Sequence, residues 1–461
     1  MPSTTTIDLP PTSHTASLRA TLHDRIVGTI IASALGDAIG LYTEFLSAAQ
    51  AAEAYPSRAF TLATHHNDND NGGATPFKLD LHRAVKDPGH WTDDTDHALL
   101  LLLGYLHTAS TNHDTANPLP TAVDFAARLR IWVQQGLRTL ETMPLGLGRL
   151  VGTVVATKGF AEDPAKVARD AWRSTGRRVA PNGSLMRTHP LGLMAVFLGE
   201  PEAFALAAEV GRATHADPRC VVACVVGTGL VRGLVRGEVV GEGDVDGLVE
   251  RAMGWFGDGK WEGGEEELWR HVRPEGEDGL GELKLDEAQA IGYVYKALGA
   301  GVVLLRMAMR RMEEGGGGLL VKGRLFEALI TDLIMRGGDA DTNACFAGAL
   351  LGAYLGYGAL PDHWKHGLLH GEWLIGKAEA LCKVLEVLDG EYDGKQDADT
   401  LPDGGKGLIG QQEMEAKWMV LQQTAFKKMD EAKKSEEAEK RGSGSRWSVS
   451  LPWRDRGKRG R

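Results

Sequence analysis

The chain has 461 residues, 43% of them apolar and 25% charged, enough to bury a large core without disulfides. A formal charge of −11 and a pI near 5.8 exclude broad electrostatic binding of nucleic acid by the main body. Cys220, Cys224, Cys345 and Cys382 form no CxxC pair and sit in apolar contexts, so they read as reduced core thiols of a cytosolic or nuclear protein.

Residues 1–18 read as a disordered leader with no secretory apolar segment. Being rich in Ser and Thr and poor in acids, they leave a mitochondrial presequence open as well. Helical periodicity then dominates from Leu22 to about Leu388. The first five expected helices are Ile26–Leu46, Asp94–His107, Ala122–Leu140, Pro164–Arg173 and Ala203–Thr214. Cys220–Arg232, Asp286–Met312, Leu325–Met335, Asp341–Tyr357 and Leu374–Leu388 follow. Nothing resembles a chain of βαβ units, so the expected fold class is all-α, a compact single-domain helical bundle. The best membrane candidate, Cys345–Leu360, is shorter than the ~20 residues a spanning helix needs and reads as a buried helix.

Small residues recur at every fourth position in two of these helices: Gly28, Ala32, Gly36 and Gly40 in one, and Ala344, Gly348, Gly352 and Gly356 in the other. A helical glycine costs ~1 kcal/mol against alanine, so such stripes predict close backbone approach in a tight core. Between 233 and 285 the composition turns to glycine, acid and tryptophan, which reads as an irregular insertion. The body is thus expected over 19–390, with an extension over 391–461. That extension comprises a polar linker, a charged helix near Gly410–Arg441 carrying Met414, Trp418, Leu421 and Phe426, and a basic tail. The last stretch, Arg441–Arg461, has seven basic residues and one acid, and is a solvated tail or a nuclear-import or polyanion-binding tag.

Four polar clusters interrupt the apolar helices. "GDAIGLYTEF" (36–45) sets Asp37 and Glu44 two turns apart on one face if the helix persists. In "WTDDTDH" (91–97), Thr92 suits an N-cap with Asp93 and Asp94 in the first turn, where the helix dipole favours carboxylates. Capping acids are common, so this cluster alone fits a purely structural role. "PNGSLMRTHPLGL" (181–193) is a turn whose N–H groups could hold phosphate oxygens, though most such turns are only turns. "RGGDADTNACFAG" (336–348) places Asp339, Asp341 and Thr342 before the second small-residue helix. Hard oxygen ligands without His/Cys spacing favour Mg²⁺ or Mn²⁺ over zinc, and converging acids would need such ions to stay charged.

The order "GDAIG…E", "WTDDT", "NGSLMR", "TH", "GGDADT" looks like the ADP-ribosylglycohydrolase family over about residues 22–388. That family includes the bacterial dinitrogenase reductase-activating glycohydrolase and the mammalian ADP-ribosyl-arginine and ADP-ribosyl-serine hydrolases. The resemblance implies an all-helical domain with a binuclear Mg²⁺ centre at helix ends, two ions per chain with Mn²⁺ as an alternative, that cleaves ADP-ribose at its 1″ attachment. By the same resemblance Thr92, Asp93 and Asp94 are metal ligands on one side, and Asp339, Asp341 and Thr342 on the other. Glu44 is a ligand or the group that handles the water, and Glu44 and Asp93 are the catalytic candidates. Asp93, Asn182, Gly183, Ser184, Leu185, Met186, Arg187 and His215 would contact substrate. The substrate would be an ADP-ribosylated protein or a small ADP-ribose conjugate, and the protein a monomer that binds no membrane, and nucleic acid only weakly through its tail.

Some positions depart from the family pattern. Asp96 and His97 stand where relatives have small or apolar residues, Ala340 replaces a frequent Thr, and Asn343 another. Other readings are a di-metal phosphohydrolase acting on ADP-ribose-1″-phosphate, a catalytically silent binding member of the fold, and a nucleic-acid-associated scaffold built on the tail.

Overall fold

The computed structural model describes residues 13–62, 73–109, 118–257, 264–276, 278–315 and 319–444. Among them there is no β-strand, only isolated bridges at Ser47–Gly337 and Pro181–Tyr293, so the all-α expectation holds. The helices that build the site are α1 (Ser13–Gly40), α2 (Asp93–Thr108), α3 (Ala122–Gln135), α4 (Pro218–Arg236), α5 (Val294–Glu314), α6 (Ala340–Leu355) and α7 (Gly371–Val384).

The two small-residue stripes face each other, which places α1 against α6 at the centre. A Cβ on Gly36 would lie 2.0 Å from the Ala344 carbonyl oxygen, and one on Gly348 would lie 2.2 Å from that of Ala32. Farther along, a Cβ on Gly352 would meet the Gly28 carbonyl oxygen at 2.2 Å. No side chain fits between these backbones, so glycine is required for the approach and not for a turn. The pair lies inside a shell of apolar helices. α4 is long and apolar enough to cross a membrane, yet 89% of its most apolar window is buried inside the protein, as in a core helix.

The described residues divide into two compact units, Met1–Pro76 with Pro88–Ile409, and Phe77–Asp87 with Gly410–Arg461. In the first, α1 starts at Ser13, two residues after Pro11, so 13–18 are helical where a disordered leader was expected; residues 1–12 lie outside the described set. The segment read as an irregular insertion is largely helical, with Glu242–Phe256, Gly264–Val272 and Gly279–Glu282. Val245, Leu248, Val249, Ala252 and Phe256 are buried at helical spacing, as are Leu268 and Val272, a pattern that the surrounding glycines and acids obscure.

Residues 391–409 are not a free linker. The Lys377 ammonium on α7, almost buried, bonds the Asp397 carboxylate at 2.7 Å and that of Asp399 at 2.8 Å. Arg128 on α3 donates to the Thr400 carbonyl at 2.9 Å. The acids of this stretch, Asp397 and Asp399, thus serve a buried donor on α7, and the Thr400 carbonyl serves one on α3. In the second unit a helix runs Gln411–Gly444, and its Lys428 bonds the Asp87 carboxylate at 2.6 Å. Of its marked residues Met414 is buried and Phe426 is 63% exposed. Most of the basic tail lies outside the described residues.

Candidate metal and substrate site

The approach of α1 and α6 brings distant acids together. A Cβ on Gly40 would lie 2.3 Å from the Asp341 Cα, so the end of α1 rests on the start of α6. The chain then turns instead of continuing as helix. Thr43 Oγ1 donates to the Ile334 carbonyl at 2.6 Å, and the Phe45 N–H to that of Gly338 at 2.7 Å. Gly337 and Gly338 have φ of +66° and +78°, a backbone path that glycine permits and that folds the 336–339 turn back onto residues 45–47. Glu44 therefore leaves the helix face expected to carry it beside Asp37 and swings toward Asp339 and Asp341. Oxygens of these three carboxylates lie within 4.8 Å of one another.

Asp37 does a different job. Fully buried, its carboxylate accepts the Thr92 N–H at 2.9 and 3.0 Å, the Thr95 N–H at 3.0 Å and the Thr95 hydroxyl at 2.6 Å. It holds the N-terminus of α2 where orphan N–H groups and the helix dipole favour an anion. Thr92 is the N-cap as expected, and its hydroxyl faces the Asp94 carboxylate at 3.1 Å. Asp93 and Asp94 line the cavity, whereas Thr92 does not. Asp96 points the other way, its oxygens accepting the Trp91 and Trp132 indole N–H groups at 2.8 Å each. His97 packs edge-on against Trp132 at 4.4 Å. These two departures from the family pattern are therefore core features and not part of the site rim.

The donor chemistry fits a divalent cation. Burial first, then the charges of Asp37, Asp93 and Asp339, pushes the Asp94 carboxyl well above its ordinary range. Burial and Glu44 raise the Asp339 carboxyl, and burial, Glu44 and Asp94 push that of Asp341 well above its ordinary range. The Asp94 Oδ1 atom is buried without a hydrogen-bond partner. Such a set favours protonation over charge, and a hard cation among the oxygens is what would let the carboxylates stay ionised at neutral pH.

Above these acids lies a cavity of about 560 Å³. Glu44, Asp93, Asp94, Asp339, Asp341 and Thr342 form its acidic wall. A second wall carries Pro181, Asn182, Gly183, Met186 and His215. The Asn182 N–H donates to the Gly292 carbonyl at 3.0 Å and its side-chain amide to Asp339 at 2.9 Å, which ties this turn to the acids. Ser184 and Leu185 are fully buried and Arg187 is 1% exposed, so these three members of the expected substrate turn face the core. In a tight helical turn successive side chains diverge by about 100–120°, and one wall cannot present all six.

Sequence reasoning missed the third wall, Gly146 and Gly148–Val151 with Thr153. A Cβ on Gly146, whose φ is +92°, would lie 2.1 Å from an Asp93 oxygen. The glycines of "PLGLGRL" (144–150) were the available signal, and nothing in that stretch marks a site on its own. The exposed aromatic Phe45 also lines the cavity, held at φ +59°.

A family described as ADP-ribosylglycohydrolase matches residues 18–391. The ADP-ribosylarginine hydrolase Tri1 of Serratia proteamaculans (strain 568) is 24% identical over 367 residues, covering 78% of this chain and 79% of that protein. A solved structure titled ADP-ribosylglycohydrolase-related protein complex is 26% identical, with a TM-score of 0.49 over 79% of this chain and 99% of its own. The family match spans the helices, both acid clusters and the turn between them, and on it the chain belongs to the ADP-ribosylglycohydrolase family.

Proposed function

We propose that the protein is a metal-dependent hydrolase of the 1″ linkage of ADP-ribose, releasing ADP-ribose from a modified protein or a small conjugate. The observation that carries this reading is the wall of six oxygen-bearing side chains, drawn from the turn after α1, the start of α2 and the start of α6, at one side of a cavity. Glu44, Asp93, Asp94, Asp339, Asp341 and Thr342 would hold two Mg²⁺ ions, or Mn²⁺. When bound, such ions polarise water and the sugar hydroxyls they contact, favouring an oxocarbenium-like transition state.

The chain's own groups then have distinct tasks. Glu44, in a turn braced by Thr43 and Phe45, orients the attacking water or takes its proton. Asn182, Gly183, Met186 and His215 line the wall that would receive the ADP part. Asp37, Thr92 and Thr95 keep α2 in place so that Asp93 and Asp94 reach the cavity.

A panel of 1″-linked ADP-ribose substrates (arginine, serine, acetyl, polymer and phosphate), assayed with and without divalent metal, tests the reading. Metal-dependent release of ADP-ribose from at least one carbon-linked substrate is expected. Turnover in ¹⁸O water should put the label in ribose; label in phosphate would favour the phosphohydrolase. Absence of turnover across the panel would leave a silent binding protein.

A further inference from the structure

Arg187 was expected at the substrate and is instead sealed beneath the cavity wall. Its guanidinium lies 4.5 Å over the Phe125 ring, and no ion pair of Arg187 forms among the described residues. One N–H donates to the Gly183 carbonyl at 2.9 Å and another to the Thr214 hydroxyl oxygen at 2.6 Å. The same hydroxyl lies 2.7 Å from His215 Nδ1. Thr214 is fully buried.

Proton counting fixes the direction of this chain. A guanidinium has only donors, so Thr214 Oγ1 must accept from Arg187. The hydroxyl hydrogen then has one partner within reach, His215 Nδ1, which must accept it. The imidazole proton is left on Nε2, the ring atom that is buried without a protein partner and belongs to a residue lining the cavity. The reverse tautomer would strand the Thr214 hydrogen and leave a bare acceptor facing the substrate. Burial, then the Arg187 charge, also holds the imidazole neutral.

We propose that Arg187 is a positioning residue that, through Thr214, locks His215 as an Nε2–H donor aimed at an anionic or hydroxyl oxygen of the substrate. Gly183 leaves room for that ring, since a Cβ there would already stand 3.4 Å from His215 Nε2. The inference rests on the reading of the cavity as an ADP-ribose site.

The test combines ¹⁵N-histidine labelling, with H215Q for assignment, and titration with ADP-ribose. In the wild-type protein His215 should show a protonated Nε2 and an unprotonated Nδ1 from neutral to mildly acidic pH. T214V should mix the tautomers and weaken ADP-ribose binding roughly tenfold, the size expected for one lost hydrogen bond. T214S should restore both. A protonated Nδ1 in the wild type overturns the proposal, and so does T214V with unchanged tautomer and affinity. The wild-type spectrum needs no variant to fold. A wild type that shows the expected tautomer but binds no ADP-ribose refutes the reading of the cavity, whereas one with the wrong tautomer that binds and turns over refutes only the relay.

Discussion

Gly40 and Asp341 touch backbone to backbone: a Cβ on the glycine would stand 2.3 Å from the aspartate Cα. The two residues are far apart in sequence, and their contact unites the Glu44 turn with the acid cluster at 339–342. G40A should therefore destabilise the fold by about 2 kcal/mol, in the range of core overpacking, and also weaken divalent-metal binding. G243A is the matched control, because nothing lies within 4 Å of its added methyl in the Glu242–Phe256 helix. It should stabilise by up to about 1 kcal/mol. Urea denaturation of both variants checks the pair.

Asp96 serves two indoles and not the metal wall. D96A should leave buried Trp91 and Trp132 N–H groups without an acceptor and cost about 2–6 kcal/mol, taking each indole at the usual 1–3 kcal/mol for a lost buried partner. The folded fraction should keep its kcat. A variant that folds normally and loses metal binding would place Asp96 in the site after all.

Three buried histidines predict acid lability. Burial lowers the ring pKa of His189 to about 3 and those of His97 and His215 well below the ordinary 6.5, with the Arg187 charge adding to the latter two. Below the ordinary imidazole range the unfolded chain takes up protons that the folded chain refuses, so stability is complete above that range and falls as pH drops through it. Each histidine contributes a slope of about 1.4 kcal/mol per pH unit. Melting temperatures with Mg²⁺ present should fall accordingly between pH 7 and 5; without metal, the raised Asp94, Asp339 and Asp341 carboxyls oppose the fall by taking up protons in the folded state.

His97 offers a sharper version of that test. Both its ring nitrogens are buried without partners. H97F should keep the edge-on contact with Trp132, remove two unsatisfied polar atoms and stabilise by about 1 kcal/mol at neutral pH. It should also flatten the acid slope by one proton's share. A destabilised H97F with an unchanged slope would show that His97 is hydrogen-bonded in solution.

Much of this arrangement was legible in the residues themselves. The small-residue stripes announced the α1–α6 contact, because only a close backbone approach explains three glycines and an alanine at every fourth position. The capping chemistry of Thr92 and the glycine-aspartate turn at 336–342 placed both acid clusters at helix starts. What could not be read was direction. Asp96 lies two positions after Asp94 and faces the opposite side, and Arg187 turns inward because Thr214, 27 residues on, offers it an oxygen. The amphipathic Glu242–Phe256 helix was hidden by its own glycines and acids, and the 397–400 acids by the absence of any nearby sign of Lys377.

The central claim is that acids from the turn after α1 and from the starts of α2 and α6 form one divalent-cation site. Isothermal titration of metal-stripped protein with Mg²⁺ and Mn²⁺, repeated on D341N, tests it most directly. Uptake of two ions per chain by the wild type, lost or reduced in D341N, is the predicted result. No binding by the wild type, or identical binding by the variant, would contradict the account.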